Sequence, residues 1–217
     1  MLAIITAMQK EADVLLDLSS IQKSYVLNGK KIYEGIYQNH RFTLCVCGVG
    51  KVNAAIGATL MIAQGAKTLL NLGVAGGLTP KAKIGTVLHI DKAVEFDFDL
   101  SAINHTPIGT LDEYRSPYLP LCGNSVFPHA TLATADHFGC GGTDDSVIRA
   151  IQADVRDMEG AAVVHAALAA NVRCFSYKSI SDNAGENSPD EYCENLKTAL
   201  NSLQKRLPQI FTEVLNG

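Results

Sequence analysis

Along this chain, apolar and polar positions fall in short runs that switch repeatedly between strand-like and helix-like periods. Residues 2–6, Leu-Ala-Ile-Ile-Thr, make an apolar run of strand length, and 11–18 carries a helix pattern. Residues 31–37 and 42–47 alternate like the arms of a hairpin, with Gln38-Asn39-His40-Arg41 as its turn. Gly48-Val49-Gly50-Lys51 then opens an Ala-rich helix ending near Gly65. A short strand over 68–72 is broken by Gly73-Val74-Ala75-Gly76-Gly77, and 86–96 and 130–134 read as further strands. Residues 145–151, 159–170 and 191–207 read as helices, with an apolar strand over 172–180 between the last two. Alternating β and α segments predict an α/β fold, a mostly parallel sheet covered on both faces. No repeat or linker divides 1–217, so a single domain is expected. The stretch 104–128, with Pro107, Pro117, Pro120 and Pro128, reads either as a surface excursion or as a flap or dimer-contact segment.

One predicted βα unit is flanked by carboxylates, Glu159 in Asp157-Met158-Glu159-Gly160 and Asp182 in Ser181-Asp182-Asn183. If the strand before the helix and the strand at 172–180 are parallel, both acids reach the sheet edge where open α/β sheets bind ligands. Each has a plainer explanation. Glu11 and Glu159 fall in predicted first helical turns, where an acid gains roughly 0.3–1 kcal/mol from the helix dipole, and Asp182 could serve a turn or cap. Yet Glu11, Val49, the 73–77 glycines, Glu159 and Asp182 all follow predicted strands. Gathered at one edge they would form a concave site with convergent carboxylates, suited to acid/base work on a small molecule.

Composition narrows the partner. Charged residues are 18% of the chain and the net charge is −4, so no basic stripe exists to neutralise a nucleic-acid backbone. Trp is absent, which removes the best stacking platform for single strands. No stretch reaches the roughly 18 apolar residues of a membrane span. Lys10 and Glu11 interrupt the apolar N-terminus too early for a signal sequence. The six cysteines then read as reduced thiols, and a cytoplasmic setting is expected. The six histidines are scattered without metal-ligand spacing, so neither metal nor cofactor is expected. Gly48-Val49-Gly50-Lys51 lacks the spacing of a phosphate loop or a dinucleotide fingerprint, and no Gly-x-Ser-x-Gly elbow exists. The paired glycines at 48–50 and 73–77 are read as strand-to-helix turns whose backbone approaches a ligand.

At this point the motifs resemble a known family. Ala7-Met8-Gln9-Lys10-Glu11, Gly48-Val49-Gly50-Lys51 with Ala54-Ala55, Asn71-Leu72-Gly73-Val74-Ala75-Gly76-Gly77, Asp157-Met158-Glu159 and Ser181-Asp182 are similar to the motifs of the 5′-methylthioadenosine/S-adenosylhomocysteine nucleosidases, in the purine nucleoside phosphorylase superfamily. The resemblance runs nearly end to end. It implies a three-layer α/β/α fold with a central twisted, mixed, mostly parallel sheet, an adenine nucleoside as small-molecule partner, and a homodimer. It also implies roles. Glu11 would activate the attacking water, Glu159 with Met158 would bind the ribose hydroxyls, and Asp182 would protonate purine N7. Phe138 would stack on adenine, and the Gly139 backbone would contact the base. Met8, Val49, Leu100 and Ile103 would line the ribose and alkylthio pocket.

Breaking an N-glycosidic bond develops positive charge on the ribose and negative charge on the base. An acid at N7 neutralises the leaving group while Glu159 and Glu11 stabilise the sugar. A phosphorylase would need cationic clamps for phosphate; no arginine lies near Met8, Glu11 or Val74 in sequence, and Glu11 would repel the anion, so water is the expected acceptor. Two positions that the resemblance places among the substrate-binding residues depart from the family pattern: Val74 stands where a Ser is usual, and Lys178 where an Arg is usual. The group on the 5′ carbon therefore stays open, with a futalosine- or aminodeoxyfutalosine-type nucleosidase, a purine nucleoside phosphorylase and a non-catalytic nucleoside-binding protein as the other readings.

Overall fold

The computed structural model describes residues 1–123, 125–138, 144–183 and 189–217. In chain order the elements are β1 (Leu2–Thr6), α1 (Gln9–Leu16), β2 (Ser20–Leu27), β3 (Lys30–Tyr37), β4 (His40–Val46), α2 (Lys51–Ala63), β5 (Thr68–Gly77) and β6 (Val87–Glu95). They continue with α3 (Ser101–Asn104), β7 (Leu119–Pro120), β8 (His129–Thr134), α4 (Asp144–Ala150), β9 (Val155–Asp157), α5 (Gly160–Ala169), β10 (Arg173–Asn183) and α6 (Pro189–Asn216). The fold is α/β, as the alternating pattern predicts.

One mixed sheet runs β10-β6-β8-β9-β5-β1-β4-β3-β2, and a further β10–β5 pairing closes its first five strands into a ring. The fork lies on β5. Along one side it pairs in parallel with β10 over its whole length. Along the other it pairs first with β1 and then, at Gly76 and Gly77, antiparallel with β9. Strands buried on both sides read as continuous apolar runs, and β1 and β5 do so. The edge strand β2 is mostly exposed and carries Lys23, so its weak pattern gives no strand signal in the sequence.

Three elements outrun their sequence boundaries; β10 runs to Asn183 instead of ending at 180, so Asp182 lies within the strand and not after it. The β5 strand continues through Gly73–Gly77 instead of turning there. Those glycines serve close approach: a Cβ on Gly73 would sit 2.4 Å from Glu11 Oε1, and one on Gly77 would sit 2.3 Å from the Ala82 carbonyl oxygen. The α6 helix passes through Pro208, where the pattern predicts a stop. An interior proline costs about 3 kcal/mol. Beyond it Ile210, Phe211 and Val214 are buried against the core, each contributing roughly 1.5–3 kcal/mol, which outweighs the proline.

Candidate active site

Glu11, Glu159 and Asp182 line one cavity of about 180 Å³ with Met8, Val49, Val74, Phe138 and Met158. The predicted parallel βαβ unit is not what joins them. β9 pairs in parallel with β8 but antiparallel with β5, while β10 runs parallel to β5, so β9 and β10 are antiparallel. Convergence comes from the fork on β5. Gly76 is the register partner of Arg156 on one side and of Asp182 on the other. The chain therefore leaves β9 heading back along β5, and a register shift between Ile180 and Asp182 re-aims the second acid.

Each carboxylate is held by a different device. Glu11 stands at the third position of α1, where its Oε2 accepts the backbone N–H of Met8 (2.9 Å) and of Ala7 (3.0 Å). Its Oε1 accepts the N–H of Val74 (2.9 Å) on β5. A carboxylate has about four lone-pair sites, so one on Oε1 remains to meet a ligand. Burial raises the Glu11 pKa, opposed by the Lys178 charge and the three N–H groups.

Glu159 precedes α5 but makes no side-chain cap bond to it. Asp157 does that work, its Oδ2 accepting the N–H of Gly160 at 2.9 Å. Glu159 instead accepts the N–H of Gly50 at 2.8 Å, from the turn between β4 and α2. Gly48 and Gly50 take φ of +94° and +99° there, a region that favours glycine. Burial first, then the Asp157 charge, pushes Glu159 up to about 7 against Lys178 and the Gly50 N–H. The Asp182 carboxylate is buried, and its Oδ1 accepts the Ser181 hydroxyl at 2.6 Å.

Lys178 is placed differently from the expectation. It is buried on β10 and does not line the cavity; its Nζ lies 2.9 Å from Asp157 Oδ2. Burial opposes its charge, but Asp157, then Glu11 and Glu159, outweigh this and raise its pKa. It is the common counter-ion behind the carboxylates, too deep for direct substrate contact. Leu100 and Ile103 also lie outside the cavity lining: Ile103 projects from α3 with 78% of its surface exposed. Gly139 falls outside the described residues. The Gly-Lys dipeptide of the α2 turn is engaged with protein groups, Lys51 Nζ lying 2.6 Å from Asp97 and 3.3 Å from Glu95.

His137, Arg156 and Ser181 also line the cavity, roles that sequence reasoning did not assign. The Arg156 guanidinium donates to the His137 carbonyl (2.9 Å) and lies 5.4 Å from the Phe96 ring centroid. No spacing rule marks Arg156. Asp157 could have been suspected, because a buried lysine four residues before Asp182 demands an acidic partner.

Comparison with known proteins gives the class. The family model of the phosphorylase superfamily matches residues 1–216. The aminodeoxyfutalosine nucleosidase of Campylobacter jejuni is 32% identical over 89% of this chain and 90% of its own. The 5′-methylthioadenosine/S-adenosylhomocysteine nucleosidase of a Marinomonas species is 26% identical over 96% of this chain and 97% of its own. Among solved structures, the futalosine hydrolase of Helicobacter pylori superposes with a TM-score of 0.87 at 26% identity, covering 97% of each chain. The chain belongs to the phosphorylase superfamily. By its similarity to these relatives its class is that of the nucleosidases.

Proposed function

We propose that this protein hydrolyses the N-glycosidic bond of 5′-modified adenine nucleosides, methylthioadenosine and S-adenosylhomocysteine among them, releasing adenine. The observation that carries this reading is the gathering of Glu11, Glu159 and Asp182 on one cavity. Glu159 and Met158 bind the ribose hydroxyls. Glu11, with three N–H groups orienting it and one lone pair left, takes a proton from the attacking water. Asp182 delivers a proton to purine N7 as the bond breaks, and Phe138 at the rim packs on the base. Burial that makes Glu11 more basic favours its role.

Water as acceptor is supported by the charges around Glu11. Lys178 is paired with Asp157, and Arg156, the one Lys or Arg lining the cavity among the described residues, already donates to the His137 carbonyl and lies 3.9 Å from Asp144, a poor set of clamps for a phosphate dianion. An aminodeoxyfutalosine-type substrate is the second reading, favoured by the name of the Campylobacter jejuni relative. Both readings share adenine release and differ only at the 5′ carbon. We also read the exposed apolar Val49, Val52, Ile56 and Ile103 as a homodimer face, and the protein as cytoplasmic. Analytical ultracentrifugation should then find a dimer that an Ile103→Asp, Val52→Asp double variant weakens.

The deciding experiment is a substrate panel of methylthioadenosine, S-adenosylhomocysteine, aminodeoxyfutalosine and inosine, with free base as readout, run with and without phosphate. Adenine and the free sugar should appear without phosphate. A strict phosphate requirement, with a sugar 1-phosphate product, would sink the hydrolytic reading.

A further inference from the structure

Away from the catalytic cavity, the strands that help build it bring three metal-ligating side chains together. His89 on β6 and His129 on β8 are register partners, and Asp91 lies two residues along β6 from His89. At the far ends of the same strands, Glu95 pairs with Thr134, whose hydroxyl bonds Asp157 beneath the active site. Six residues of strand, at roughly 3.3 Å each, place the histidines about 20 Å from that chemistry. Nothing in the nucleosidase reaction uses them.

Their geometry is that of ligands converging on one point. Asp91 Oδ1 lies 2.6 Å from His129 Nδ1 and 3.6 Å from His89 Nε2. The three donor atoms all lie within 4.8 Å of one another. With metal–ligand bonds of about 2.0–2.1 Å, neighbouring ligands of a tetrahedral ion are about 3.3 Å apart. The 3.6 Å separation is close to that value; the 2.6 Å one is a hydrogen bond, which a shared ion would lengthen by about 0.7 Å.

Two further observations point to a cation. His129 Nε2 lies 3.0 Å from the Ser125 carbonyl oxygen and Nδ1 lies 2.6 Å from Asp91 Oδ1; both oxygens can only accept, so without an ion both nitrogens carry hydrogen, and a metal ion would take the place of the hydrogen on Nδ1 while Nε2 keeps its bond to the carbonyl. An imidazole that donates one N–H to a carbonyl while offering the other nitrogen inward is the usual outer arrangement of a metal-bound histidine. His89 is fully buried, and neither of its ring nitrogens has a hydrogen-bond partner among the described residues. Such a group costs about 1–3 kcal/mol when left unsatisfied, and its Nε2 faces the same Asp91 oxygen. Glu213, the next acid nearby, is committed to Ser125, Tyr177 and Val126.

We propose that His89, Asp91 and His129 form a binding site for one divalent transition-metal ion of the zinc type, separate from the catalytic cavity, with its remaining position open to solvent or ligand. Two imidazoles and one carboxylate suit zinc, cobalt or nickel over magnesium or calcium. The ion would tie β6 to β8 and, through His129, to the backbone at Ser125. Sequence spacing cannot reveal the site, because the histidines lie on separate strands and meet only through their register.

The test uses the full-length, tag-free, chelator-treated protein titrated with zinc chloride by calorimetry and with cobalt(II) by visible absorption. One zinc per chain should bind, raise Tm, and give a cobalt spectrum of low-symmetry coordination. Asp91→Asn and His129→Ala, both at partly exposed positions that the core does not need, should each weaken zinc binding at least ~10-fold. Adenine release should be the same before and after chelation. Absence of saturable zinc binding, or variants that bind as the wild type does, would overturn the site; chelator-sensitive turnover would overturn its separation from the active centre.

Discussion

Replacing Glu159 by Gln should remove one group's share of the pH dependence of stability while abolishing function. The folded carboxyl holds its proton up to about pH 7, whereas in the unfolded chain it releases it near 4.5. Between those values folding takes up a proton, so this group's contribution to stability falls as pH rises and levels off above 7. At about 1.36 kcal/mol per pH unit, the loss between pH 5 and pH 8 comes to about 2–3 kcal/mol. Glu159 is buried, so solvent screens little of this. Gln keeps an oxygen for the Gly50 N–H but carries no charge, and removes the repulsion with Asp157. Urea unfolding of both proteins at pH 5 and pH 8 gives a difference of differences that isolates the group. The variant should gain about 2–3 kcal/mol on the wild type between pH 5 and pH 8, while adenine release collapses because a neutral amide binds the ribose hydroxyls poorly. Parallel stability–pH curves for the two proteins would refute the reasoning.

Other residues give equally direct tests. Asp182→Asn should lower kcat at least ~100-fold with little change in KM, as expected on losing a general acid; stopped-time adenine assays decide, and near-normal turnover removes Asp182 from the mechanism. Lys178→Met leaves Asp157, Glu11 and Glu159 without their shared cation, which should cost about 3–5 kcal/mol at pH 8 in urea melts. That loss should shrink toward pH 5, where the stranded carboxyls can take up protons; a pH-independent loss would indicate packing alone. Gly73→Ala puts a methyl 2.4 Å from Glu11 Oε1, so kcat should fall at least ~10-fold with a stability loss of about 1–3 kcal/mol. Wild-type kinetics there would show that Glu11 needs no exact placement.

Much of the architecture is legible locally. The glycine turn into α2 and the apolar run of β1 form as their patterns predict, and the β3–β4 hairpin forms with a tighter turn, Gln38-Asn39 alone, His40 and Arg41 joining the strand; each period is set by side chains a few residues apart. Boundaries fail where distant atoms intervene. The glycines of β5 look like a turn in isolation, but they are there to let Glu11 and Ala82 approach a strand. Pro208 looks like a helix stop, but three apolar side chains beyond it have a core to enter. Edge strand β2 buries too little to leave an alternating pattern.

The opposed carboxylates illustrate the division most sharply. Glu11, Glu159 and Asp182 are marked as chemistry-bearing acids only jointly: each alone has a helix-dipole or turn explanation, and it is their shared placement after apolar runs that points to a site. A parallel βαβ unit is the natural guess for bringing two of them together, and β9 runs the other way. Strand direction is decided by which partners close the ring around β5, and that depends on contacts far apart in sequence. The same holds for Lys178, whose charge is readable but whose place behind the acids is not, and for His89 and His129, joined only by register. Sequence determines which groups can ionise, donate or pack, because those are properties of side chains. Tertiary structure decides which of them share a low-dielectric space, because distance and burial set every coupling among them.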